Sequence, residues 1–246
     1  MKTVKITSDR FQNKIALDLA RRYIFKNIQK KMNLLDVGSA DNIIKHFLPK
    51  NVEYYSLELP KEERDEDLRE YDHEITFNLD NGKLPIEDNF FDIIVCLDTL
   101  EHTMYPKRVL REFKRITKKD GFFIISLPNE YNFLLRLYYL LAIKTRTEIP
   151  WEVVEIHQHI QKPRVKDIIH LLRDNFKIYD VVYHWESRAS YKNNFFVVID
   201  RLINLLAKIY PSLFARDVVA VCKFKDGFEK TEENEKKILI QNKRYY

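Results

Sequence analysis

Glycine is scarce in this chain. There are four in 246 residues, so a glycine-rich phosphate cradle cannot be built, and each glycine present marks a place worth reading. Cysteine is scarcer still. Cys96 and Cys222 sit in apolar runs far apart in sequence. That excludes a disulfide framework and paired metal-ligand spacing, and predicts two reduced core thiols in a cytoplasmic protein. The first eight residues have no apolar centre, so no signal peptide is expected. No apolar run reaches the roughly 18 residues a membrane span needs. The two longest, 131–143 and 195–209, are broken by Arg136 and by Asp200, Arg201 and Lys208. No strong charge imbalance exists either. The net charge is +5, with 32% charged residues of both signs. A clustered basic face is missing, so nucleic acid is not expected as a partner. Nothing specifies an oligomeric state.

What is present is a large core-forming fraction, 45% hydrophobic and 13% aromatic. Apolar residues at Phe11, Ile15, Leu19, Tyr23 and Ile28 predict an opening helix. From residue 33 to 127 strand-like runs alternate with helical ones: strands at 33–37, 52–59, 74–79, 90–97 and 122–127, helices at 42–47 and 106–117. Asp120-Gly121 reads as a turn before the last of these strands. The alternation predicts a parallel sheet with right-handed crossovers. The second half is less regular, with helices at 131–143, 165–173 and 195–209 and strands at 177–184 and 217–224. No repeat or low-complexity linker interrupts the chain. The expected organisation is one domain over 1–225, an insert or cap at about 129–162, and a charged tail at 226–246.

The stretch Leu34-Leu35-Asp36-Val37-Gly38-Ser39-Ala40-Asp41-Asn42 stands out. A buried strand ends in an acid, a glycine and small residues, then a helical pattern begins. Such a turn at a strand's carboxyl end is where nucleotide-like ligands bind in open α/β sheets. Gly38 lets the backbone approach a ligand closely, and a helix start beyond it offers free N–H groups. Glu58 follows twenty residues later at the end of the second strand, placed to accept from ribose hydroxyls.

Together with Asn78-Leu79-Asp80, Leu84-Pro85, Phe91-Asp92, Asp98-Thr99-Leu100-Glu101-His102 and Ser126-Leu127-Pro128-Asn129, this pattern resembles the class I S-adenosylmethionine-dependent methyltransferases. Within them it is similar to the group that includes ubiquinone-biosynthesis O-methyltransferases. The resemblance implies an α/β, Rossmann-like three-layer sandwich: a mostly parallel seven-stranded sheet with an antiparallel final strand and a helical cap. It implies S-adenosyl-L-methionine as cofactor, held by Asp36, Gly38, Ala40, Asn42, Glu58, Leu79, Asp80, Asn81, Leu97 and Asp98. Asp36 and the Gly38 turn would face the amino-acid end, Glu58 the ribose, and Asp80 the adenine amino group. The family's Gly-x-Gly-x-Gly turn departs here at Ala40 and Asn42. Asn is the best non-glycine residue for a left-handed backbone. A dinucleotide fingerprint would need glycines at 40 and 43, where Ala40 and Ile43 stand.

For a hydroxyl acceptor a base is required. His102, after the fourth strand, is the candidate catalytic residue, with His157 and His159 behind it and a purely structural role for Glu101-His102 as the bland alternative. The Asn/Asp-Pro-Pro-Tyr/Phe signature of nucleobase amino-methyltransferases is missing; Asp98-Thr99-Leu100-Glu101 stands there. The apolar 131–143 helix reads as buried between cap and sheet. The sharper reading, extended by the second long helix, is a surface for a lipid or quinone tail or for peripheral membrane contact. The expected activity is O-methylation of a small-molecule, lipid or glycan-type acceptor. The alternatives are a tRNA or protein methyltransferase and a non-catalytic S-adenosylmethionine-binding protein.

Overall fold

The computed structural model describes residues 11–27, 30–39, 43–60, 73–143, 159–187 and 194–225. Its centre is one seven-stranded sheet, built from β1 (Met32–Val37), β2 (Val52–Glu58), β3 (Glu74–Thr76), β4 (Phe91–Leu97), β5 (Thr117–Pro128), β6 (Lys177–His184) and β7 (Asp217–Lys223) in the order β3-β2-β1-β4-β5-β7-β6. The neighbours from β3 to β5 run parallel, and β7 runs antiparallel to both β5 and β6. This is the predicted Rossmann-like arrangement with one reversed strand.

The sheet is central because its middle strands are apolar on both faces. All seven residues of β4 are buried. Leu35, Val37, Ile94, Cys96, Phe123 and Ile125 point into one core. Leu34, Ile93, Val95, Ile124, Val219 and Val221 point into the other. Helix α1 (Phe11–Tyr23) covers the second face through Ile15, Ala16, Leu19 and Ala20. Helices α2 (Pro106–Ile116) and α4 (Val165–Asn175) cover the first through Val109, Leu110, Phe113 and Ile116, and Val165, Ile168 and Leu172. Both cysteines lie buried and unbonded in these strands.

Several expectations change. The first helix, expected to run to about Lys30-Lys31, ends at Tyr23. The helix expected at 42–47 is, over its described residues, a short 3-10 turn, Ile43–Phe47. The third strand is three residues long, and Leu79–Asn81 forms its own turn, capped by the Asn78 side chain. Asp120-Gly121 is not a turn. β5 starts directly after α2, and the irregularity appears as a register break between Phe91 and Ile93. A Cβ at Gly121 would lie 2.3 Å from Thr117 Cγ2 and 3.0 Å from Asp92 O, so close backbone approach is what that glycine permits. Asp92, accepting from Asn33 N at 2.9 Å and Lys118 Nζ at 2.7 Å, ties the bulge to β1.

The two apolar helices are not buried. Helix α3 (Phe133–Leu140) has no buried residue, and in α5 (Asn194–Ile209) the buried residues are Asp200 and Ala207. Leu140 and Ile209 are each 81% exposed. The periodicity needed to turn an apolar face inward is weak in a helix that is apolar nearly all round. Among the described residues no helix is long and apolar enough to cross a membrane.

Candidate functional site

The parallel strands all end at one edge, at Val37, Glu58, Leu97 and Pro128, and β7 begins there because Asp217 pairs with Pro128. The described residues singled out around the turn and after β4 lie at this edge.

On the β1–β3 side Asp36 is 3% exposed, and its Oδ2 accepts from Tyr54 OH at 2.9 Å. Burial and the nearby Asp36 charge together push the Tyr54 hydroxyl far up, so it stays a donor. Glu58, half-buried at the end of β2, accepts from Ser39 Oγ at 2.6 Å, and so bridges the first strand's turn to the second strand. Asp80 accepts from the backbone of Met104 at 3.0 Å and of Tyr105 at 3.3 Å, which fixes the loop before α2. Leu79 is buried beside it and Asn81 is exposed. Leu97 closes β4 in the core. Asp98 follows with φ +48, accepting from Ser126 Oγ at 2.5 Å and, through its N–H, donating to the same oxygen at 3.0 Å. Ala40 and Asn42 lie outside the described residues, as does His157.

Gly38 has φ +66, and a Cβ there would lie 2.5 Å from Thr99 Oγ1. The glycine is therefore required by the chain itself, whatever ligand approaches. Thr99, whose hydroxyl lies 3.1 Å from Val37 O and 3.0 Å from Leu97 O, clips the ends of β1 and β4 together.

On the other side of β4 the turn Leu100–His102 meets the segment 159–164. Gln161 N donates to Glu101 O at 2.8 Å and Gln161 Nε2 to Thr103 O at 3.1 Å, while Glu130 N donates to Pro163 O at 3.0 Å. These bonds bring His159 onto His102, edge to face with ring centroids 4.9 Å apart, and onto Glu130, whose Oε1 lies 2.6 Å from His159 Nδ1. Glu101 is wholly buried, and among the described residues neither of its carboxylate oxygens accepts a hydrogen bond from another residue. Burial, and then the charge of Asp98, raise its pKa well above the usual range; burial and Asp98 raise Asp217 likewise. Sequence reading passed over Glu101 as a site residue, and over Glu130, Asp217, Thr99, Ser39 and Tyr54. The one available signal was polarity in the wrong place: Tyr54 and Asp36 within buried strands, Asp217 opening an apolar run.

The donor set on the first side suits S-adenosyl-L-methionine. It offers a carboxylate (Glu58) at the end of β2, an apolar wall (Leu79, Leu97), and a tight turn at Gly38. Comparison with known proteins agrees. A family described as a methyltransferase domain matches residues 9–181, well over half of the chain. The chain belongs to this family. It is an enzyme of the S-adenosylmethionine-dependent methyltransferase class, and S-adenosyl-L-methionine is its cofactor. Solved structures share the fold at low identity. A SAM-dependent methyltransferase from Archaeoglobus fulgidus is 14% identical with TM-score 0.52, covering 86% of this chain and 94% of that one. YcgJ from Bacillus subtilis is also 14% identical with TM-score 0.52, covering 86% and 99%. The [4+2]-cyclase SpnF is 14% identical with TM-score 0.51, covering 87% and 82%. By sequence, an uncharacterised protein of Methanocaldococcus jannaschii, MJ0638, is 43% identical over 47 residues, which span 19% of this chain and 20% of that relative.

Proposed function

We propose that this methyltransferase acts at a hydroxyl oxygen of a small-molecule or lipid-like acceptor, which enters beside β4 under the 129–162 cap of a single 1–225 domain. The carrying observation is the histidine pair: His102 and His159 stack at the carboxyl end of β4, with Glu130 orienting His159. Bound S-adenosyl-L-methionine supplies an electrophilic methyl group. The chain's part is to align the acceptor, exclude water, and take the hydroxyl proton. His102, flanked by a carboxylate-oriented imidazole, is the proposed proton acceptor. On the cofactor side Glu58 is proposed to hold the ribose hydroxyls, with Asp36, Gly38, Ala40, Asn42, Leu79, Asp80, Asn81, Leu97 and Asp98 around it. Asp80 Oδ1 already accepts from two backbone N–H groups and Oδ2 from one of them, which leaves Oδ2 a lone pair for a further donor.

A lipid-like acceptor is favoured by the exposed apolar residues of α3 and α5, among them Leu140, Leu141, Phe195, Leu202 and Ile209. These would also suit peripheral contact with a bilayer. The test incubates the protein with methyl-labelled cofactor and fractionated cell extract. Label in the organic-solvent fraction, lost in His102→Ala while calorimetry still shows cofactor binding, supports the reading. Label in the RNA or protein fraction overturns the acceptor class, and cofactor binding with no label in any fraction favours a non-catalytic binder. Glu58→Gln is expected to weaken cofactor binding about tenfold, the worth of one charge-assisted hydrogen bond.

A further inference from the structure

The second cluster holds an acid that the described residues leave unsatisfied. Glu101 is completely buried, and among the described residues neither carboxylate oxygen accepts a hydrogen bond from another residue. Its electrostatic neighbours, Asp98, Asp217 and Glu130, are acids. Among the described residues no lysine, arginine or histidine forms an ion pair with it. A native fold rarely leaves a carboxylate so, because unmatched burial is costly. Ligand atoms of Glu101, His102 and His159 lie within 4.8 Å of one another. The Glu130–His159 hydrogen bond adds an independent sign. It occupies Nδ1 at 2.6 Å and leaves Nε2 as the free ligand nitrogen. A carboxylate behind the imidazole is the usual way to orient a metal-binding histidine.

We propose that Glu101, His102 and His159 bind a divalent transition-metal cation such as zinc, cobalt or manganese, with Glu130 as a positioning residue. Two imidazoles and one carboxylate favour these ions over magnesium or calcium, which prefer all-oxygen sites. Metal–ligand bonds of about 2.0–2.1 Å put tetrahedral ligands about 3.3 Å apart. From separations of up to 4.8 Å, the three ligand atoms therefore close by up to about 1.5 Å on binding. His102 and His159 are both half-buried, so positions on the cation stay open to solvent or acceptor. The proposal rests on reading this pocket as the acceptor side. A hydroxyl oxygen bound there becomes more acidic: the O–H bond breaks, the electron pair stays on oxygen, and the proton leaves to solvent. With a cation bound, His102 is a ligand rather than the base.

The test uses the full chain without an affinity tag, stripped with chelator and titrated with cobalt(II), followed by visible absorption, and with zinc(II) by calorimetry. One cation should bind per chain. Glu101→Gln, His102→Ala and His159→Ala should abolish the cobalt bands, and Glu130→Gln should weaken binding by about 10- to 100-fold. His170→Ala, an exposed histidine on α4, should change nothing. Thermal melts establish that each variant is folded, and Glu101→Gln differs by one atom type if an alanine variant is not. Wild-type binding no tighter than that of Glu101→Gln would overturn the proposal. Calorimetry of the metal-free protein with S-adenosylmethionine separates the two readings. Cation binding without cofactor binding removes the methyl-transfer reading alone, and the reverse removes the cation site alone.

Discussion

The acids at the carboxyl edge of the sheet fall into two sets on either side of β4. On the β1–β3 side each is met by donors from the chain: Asp36 by Tyr54, Glu58 by Ser39, Asp80 by two backbone N–H groups. On the β5–β7 side Glu101 is buried with none among the described residues, beside other buried acids. The first set is complete within the protein and a ligand adds to it. The second carries an uncompensated cost, which is the condition for a group that acts on something else. The first set comes from neighbouring strands, the second from segments 29 to 116 residues apart, pinned by Gln161 and Asn129 to loops and strand ends.

The largest test of this contrast concerns the clip between the sets. Gly38→Ala adds a Cβ against Thr99 at a positive φ. Left-handed strain of about 1–2 kcal/mol and overpacking of about 1–3 kcal/mol should together cost about 3 kcal/mol in urea unfolding. Thr99→Ala in the same background should recover the steric part and leave the backbone part. Additive single and double changes would show that Thr99 is not the obstacle.

Acid sensitivity should come from the second side. Burial pushes the His184 imidazole, across from Asp217 on β7, down to about 4, with Arg216 assisting and Asp200 opposing. Above pH 6.5 it is neutral folded and unfolded, and contributes nothing. As pH falls from about 6.5 toward 4 the unfolded chain takes up the proton first, so stability is lost, by at most about 3 kcal/mol. Asp217, with its raised pKa, pulls the opposite way, so the diagnostic quantity is the difference between wild type and His184→Asn. Parallel melting-temperature curves for the two from pH 7 to 4.5 would remove His184 from the account.

Glu101→Met should raise the stability of the metal-free protein by about 2 kcal/mol, since it removes an unsatisfied buried group of similar volume. On the first side the corresponding change goes the other way: Tyr54→Phe leaves Asp36 without its 2.9 Å donor and should cost about 1 kcal/mol. If both variants lose stability in the same assay, the distinction between the two sets is wrong.

Much of this was legible in sequence because it is local. Continuous apolar runs gave the strands, and the acid–glycine turn with acids at later strand ends marked a candidate cofactor side. The family's domain match over residues 9–181 agrees with the enzyme class that the pattern resembles. What failed locally did so for physical reasons. Asp120-Gly121 looks like a turn, yet the pairing of Phe91 with Thr117 draws it into β5. Helix α3 looks like core, but its burial depends on what packs against it, which composition does not state.

The sequence by itself determined the α/β alternation, the strand that ends at Gly38 and the acids that stand at the ends of neighbouring strands. All of these follow from backbone preference and hydrophobic period within a few dozen residues. Only the tertiary structure decided that Gly38 is needed to clear Thr99, and that Glu101, His102, Glu130 and His159 share one pocket. Those facts depend on hydrogen bonds between loops far apart in the chain, and loop closure of that kind leaves no periodic trace in the sequence.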